Sequence, residues 1–213
     1  MSEDKTYGYG YILWTTLLGF AAFMISGLLA DMFILRTDNY LMGMLISGGI
    51  GALLLGLFLQ MGKKTMRVVL AGLIAMPLGL LITFGVFEGI GALLPHAFSQ
   101  SIENAGIPDT MAVMFMAAIF GAAVGTSLFG KKAIVLFILV CAIAAIPFGR
   151  MVVAFNTGAV IRYDLQMLFM PLGRIDLNSL AITLAHGVGV GLAIGIYRKF
   201  RAEAHSAVSA KQT

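Results

Sequence analysis

The chain has 213 residues, 60% hydrophobic and 11% charged, with a formal net charge of +4 and a mean hydropathy of +0.96. Soluble domains carry about a quarter charged residues, so a soluble globule is excluded and the lipid bilayer is the expected solvent and partner. The cations fall in short clusters between apolar runs, which excludes a nucleic-acid face. A lone cysteine, Cys141, excludes an internal disulfide and a cysteine-based metal cluster.

A membrane-spanning helix needs about 20 mostly apolar residues. The opening "MSEDKTYGYG" lacks the basic start of a signal peptide, so the first apolar run is expected to be retained as a helix. That span is predicted over Tyr9 to Ala30, and Tyr7, Tyr9, Tyr11 and Trp14 form an interfacial belt at its start. The second runs from Tyr40 to Met61 and the third from Arg67 to Leu94, with Pro77 and Gly79 placed to kink it. Spans four, five and six are predicted over Thr110 to Phe129, Ala133 to Ala154 and Leu177 to Tyr197. The expected fold is all-α: one polytopic six-helix domain over residues 1–201, followed by a short tail, 202–213.

Lysine and arginine placement sets orientation. Lys63, Lys64 and Arg67 follow span two, Lys131 and Lys132 follow span four, and Arg198, Lys199 and Arg201 follow span six. An alternating path puts these clusters on one side, hence both termini in the cytoplasm. The expected setting is the bacterial cytoplasmic membrane, with the connections at 95–110 and 156–179 facing outward. Within the second connection the apolar piece Leu165 to Leu172 is too short to span and reads as interfacial or re-entrant.

Two stretches, starting at Gly51 and Gly121, share a plan of paired glycines, Gly-Lys-Lys, an apolar run and Pro-x-Gly. They mark a candidate internal parallel repeat, of a kind found in transporters. Glycines four apart supply surfaces for close helix packing: Gly187, Gly191 and Gly195 in line with Thr183, Gly121 with Gly125, and Gly85 with Gly89. Packing within one chain is the expected use, ahead of a dimer seam.

Ionisable groups inside a membrane are functional candidates. His186 lies twelve residues before Arg198, about 18 Å deep at roughly 1.5 Å per residue. Ser26, Ser47 and Thr83 fall near 24 Å by about the same count, and Thr183 precedes His186 by one turn. These five define a candidate polar layer or transport path. Asp31, Glu88, Arg150 and Arg174 form a candidate charged cluster at the outer end, the first three read as side chains reaching water at the interface.

Ala185-His186 before the glycine stripe resembles the last helix of rhomboid intramembrane proteases over a few residues. The Gly-x-Ser-Gly nucleophile motif is absent, and Ser127 lies about 6 Å deep, too shallow to pair with His186. His96 and His205 lie in an outer connection and the tail, so no metal site is expected. No nucleotide or cofactor motif occurs. The functions that remain are, in order, a small permease or channel-like component, a non-catalytic membrane subunit bound to a partner or a second copy, and an intramembrane enzyme.

Overall fold

In the computed structural model the described residues are 7–93, 105–157 and 175–209. The His96 connection, the Leu165 to Leu172 piece and Arg174 lie outside them. Six helices cover almost all the described chain: α1 Tyr9–Thr37, α2 Tyr40–Phe58, α3 Lys64–Leu93, α4 Ile107–Phe129, α5 Ile134–Asn156 and α6 Leu177–Ser209. All six are long and apolar enough to cross a membrane, and no strand occurs among the described residues.

Each helix packs on the next along the chain, and α6 closes the ring onto α1 while also touching α4. Composition explains why α6 lies inside. Its most apolar 18-residue window is 72% buried, whereas no other helix exceeds 44%. Its glycines admit neighbours at backbone distance. A methyl carbon placed on Gly191 would meet the Thr15 carbonyl and lie 3.0 Å from Thr16 Cα; one on Gly195 would lie 2.7 Å from Ile12 Cα. Gly187 meets the backbone of Gly19 likewise, and Gly189 turns to α5, where a methyl would lie 3.0 Å from Cys141 Cα. Lipid supplies no hydrophobic drive between helices, so such close packing is what holds the bundle together.

Gly121 and Gly125 receive Cys141 and Phe137 of α5, as expected. Gly85 and Gly89 differ: among the described residues no atom lies within 4 Å of a methyl at either, and they sit on the face that carries exposed Leu81 and Phe84. The two Gly-Lys-Lys segments both form helical hairpins, α2–α3 and α4–α5. Their matched glycines pack differently, however, since Gly51 faces Phe23 of α1 and Gly121 faces α5.

The ends of the bundle are unlike. At one end Lys64 donates to the Leu128 carbonyl at the end of α4, 3.2 Å. There too Arg198 donates to the Tyr11 hydroxyl, and Lys199 sits 3.7 Å from the Tyr9 ring centre. The opposite end, formed by the close of α1 and the starts of α2 and α6, has no lysine among its described residues.

Candidate functional site

The α1 helix continues seven residues past the predicted end at Ala30, because "MFIL" after Asp31 is as apolar as the run before it. Asp38 ends it in a left-handed turn, its N–H donating to the Ile34 carbonyl. Asp31 is therefore enclosed rather than interfacial, with 1% of its surface exposed. It shares one helix face with Gly27, Ala30 and Ile34. Asp31 faces the first turn of α6, where its polar neighbours are the Ser179 hydroxyl and Asp176. The Ser179 hydroxyl and the Asp176 backbone are the donors that the carboxyl faces, though neither makes a hydrogen bond of full geometry with it.

Of the expected outer charged cluster, the described members Glu88 and Arg150 do not join Asp31: both are exposed, and Arg150 donates to the Ala105 carbonyl at 3.2 Å. The ion pair found among the described residues joins Lys199 and Glu203, at the other end.

A cavity of about 170 Å³ opens at the lysine-free end, with Asp31 buried outside its lining. Its walls come from five helices: Ala30 and Ile34 of α1, Tyr40, Met44 and Ser47 of α2, Met76 and Leu80 of α3, Met116 of α4, and the first turns of α6. Most of that surface is methionine and aliphatic carbon. The polar part is concentrated where α6 begins, at Asp176, Asn178, Ser179 and Thr183. A larger groove of about 360 Å³ between α1, α5 and α6 is lined by apolar side chains throughout.

Hydrogen-bond accounting fixes the direction of several groups. Thr183 donates its one proton to the Ser179 carbonyl, 2.9 Å, so Ser47, 3.3 Å away, donates to Thr183. Two of the five predicted path residues thus meet on the cavity wall. The other three do not line it. Ser26 donates to its own helix at Phe23, 3.2 Å, and packs where Gly51 leaves room. Thr83 is buried with its hydroxyl unpartnered.

His186 lies one turn deeper on α6, stacked edge-on to Phe120 with ring centres 5.0 Å apart. Its Nδ1 is 2.6 Å from the Ile182 carbonyl, which can only accept, so Nδ1 carries the proton. The opposite nitrogen has no partner. Ser127 donates to Ala123 of its own helix and has no part in this constellation.

A relay invisible in the sequence orders the start of α6. Asp109 can only accept, so Asn156 turns its Nδ2 toward it, 3.3 Å. Asn156 then offers Oδ1 to Asn178 Nδ2, 2.8 Å. This leaves Asn178 Oδ1 buried and unpartnered. Asp176 caps the helix, accepting from the Asn178 N–H at 3.0 Å. Among the described residues no group of three or more His, Cys, Asp or Glu side chains is placed to hold a metal ion. Compared with protein families, curated proteins and solved structures, the chain matches none.

Proposed function

We propose that this chain is a small multi-pass permease whose solute site is the cavity at the start of α6. The observation that carries the reading is the cavity itself, walled by five helices and carrying its polar groups at one end. Pockets built this way, apolar with a few convergent polar groups, are the usual form of small-molecule sites. A bundle serving as a scaffold alone gains nothing from such a space. The lysine clusters put the opposite end of the bundle in the cytoplasm, so the cavity faces outward and both termini inward. In this reading the membrane is the bacterial cytoplasmic one, and any driving force comes from an ion gradient or a separate partner.

Accessibility tests this without knowledge of the solute. In a Cys141→Ala background, Ser47→Cys is treated with a membrane-impermeant thiol reagent in right-side-out and in inverted vesicles. A permease exposes its site alternately, so labelling is expected from both faces, faster from outside. Labelling from the outside alone, or none, sinks the permease reading.

The second reading is a membrane subunit, favoured by Gly85 and Gly89, small residues on an outer face with no described residue packed on them. Native mass spectrometry of the gently solubilised protein separates the two. A stoichiometric partner polypeptide supports the subunit; a lone chain or homo-oligomer retaining a small solute supports the permease.

A further inference from the structure

We propose that a phospholipid with an anionic headgroup binds where the two Gly-Lys-Lys hairpins meet, its phosphate among their cations and one acyl chain in a groove between α3 and α4. The site is separate from the solute cavity and stands whichever reading of function holds.

The charge comes first. Lys63 ends the turn between α2 and α3, α3 opens with Lys64, and Arg67 follows one turn later. The turn between α4 and α5 carries Lys131 and Lys132. The bond from Lys64 to the Leu128 carbonyl, 3.2 Å, ties the first hairpin to the second, and Leu128 lies just before Lys131 in the chain. These five cations therefore share one corner of the bundle. Lys63, Arg67, Lys131 and Lys132 are exposed, and none of the four makes a hydrogen bond or ion pair with a described residue. The acid at this end among the described residues, Glu203, pairs with Lys199. Arg198 and Lys199 differ, being engaged with Tyr11 and Tyr9. Like charges gathered without a counter-charge repel one another, and an anion among them relieves that cost. Clusters of about four to eight Lys and Arg beside a membrane helix are a usual seat for anionic headgroups.

The groove supplies the second half. Beyond the cluster, α3 and α4 part around a space of about 400 Å³, lined by Ala71, Ala75 and Leu78 on one side and Ile119, Ala122 and Ala123 on the other. Small side chains leave it unfilled, and exposed Ile74 and Leu78 mark its opening to the outside of the bundle. Thr126 and Ser127 sit at its charged end, their protons already given to Ala122 and Ala123 of their own helix. Every wall residue beyond them is aliphatic.

The length of the groove selects its occupant. From Ala71 to Leu78 it runs about 10 Å along the helix axis. It closes where Gly79 meets α4, a methyl there lying 3.7 Å from Met116 Cα. A docked membrane helix needs a face about 30 Å long, whereas an acyl chain entering from headgroup level needs only a slot of this kind.

The test is native mass spectrometry of the full chain, stripped of lipid in a non-ionic detergent and titrated with two lipids of identical acyl chains, phosphatidylglycerol and phosphatidylcholine. Phosphatidylglycerol is expected to bind about tenfold more tightly or better. Replacing Arg67, Lys131 and Lys132 together (Arg67→Gln, Lys131→Gln, Lys132→Gln) is expected to remove that preference, at about fivefold per cation. Should this triple variant fail to fold, Lys132→Gln alone decides. Arg201→Gln removes an exposed cation at the same end but outside the site, and is expected to change binding by less than about twofold. Ala122→Leu fills the groove with every charge kept, and is expected to weaken phosphatidylglycerol about fivefold or more.

Equal affinity for the two lipids, or a triple variant that keeps the preference, overturns the headgroup site. So does a loss in Arg201→Gln as large as that in Lys132→Gln, since the cations would then act as a diffuse charged rim. Unchanged binding in Ala122→Leu overturns the groove as the seat of the acyl chain, and inorganic phosphate competing at the lipid's own concentration does the same. A polypeptide retained on the wild-type chain and lost from Ala122→Leu assigns the groove to a protein partner and overturns the lipid. None of these readouts involves solute movement, so the permease reading is judged separately, by thiol labelling at Ser47.

Discussion

The two halves of α6 do opposite things with the same kind of sequence. From Gly187 onward the helix is pressed against α1 at backbone distance, and at its far end Arg198 and Lys199 engage Tyr11 and Tyr9. Over its first turns, from Leu177 to Thr183, it borders a cavity and leaves one acceptor, Asn178 Oδ1, unanswered. Close packing at one end makes an open, polar site at the other affordable: the bundle is clamped where nothing needs to move. Low local stability is characteristic of binding regions.

The clamp is where the contrast breaks most readily. Gly187→Ala puts a methyl onto the Gly19 carbonyl and 2.5 Å from Phe23 Cβ. Backbone cannot yield as a flexible side chain does, so α1 and α6 must separate. The expected cost is about 1–3 kcal/mol, seen as a lower midpoint in a detergent thermal-unfolding assay. An unchanged midpoint would show that the two helices are not held by this contact.

At the open end the sign reverses. Asp31→Asn removes a buried carboxyl without changing shape, and the protein is expected to become more stable by about 1 kcal/mol. If stability falls instead, Asp31 is a structural tether to the start of α6, and the contrast between the halves weakens.

How much of this was legible depends on which physical signal carried it. The six spans were readable because apolar length is the direct requirement of the bilayer. The Gly187, Gly191 and Gly195 stripe was readable because residues four apart share a face. Ser47 and Thr183 fall in one candidate polar layer by depth, but their meeting was not legible, because it depends on how α2 and α6 are rotated against each other. Asp31 was misplaced because a charge was taken as the end of a span, although the apolar residues 32–35 carry α1 onward. The relay from Asp109 through Asn156 to Asn178 joins three helices across long separations in the chain. No local pattern encodes it, and the cavity depends on the same long-range geometry.

Between these halves lies the Ser47–Thr183 hydrogen bond, 3.3 Å. Hydrogen bonds between helices in a membrane average about 0.6 kcal/mol, so Ser47→Ala is expected to lower stability by about that amount. A much larger loss, read in the same unfolding assay, would mean that this bond does more than an average contact to hold α2 on α6.

The smallest effect is expected from the same chemical change as the largest. Gly85→Ala adds one methyl to a helix, as Gly187→Ala does, but no atom of the described residues lies within 4 Å to receive it. Alanine is also the better helix former, so the change should be neutral or stabilising by no more than about 0.5 kcal/mol. The pair separates geometry from composition: both positions are glycine, both belong to four-residue spacings, and only one touches a backbone. A sharp fall in stability or in oligomeric mass with Gly85→Ala, read in the same unfolding assay and by native mass spectrometry, would mean that the outer face of α3 is covered in the membrane. The subunit reading would then gain what the permease reading loses.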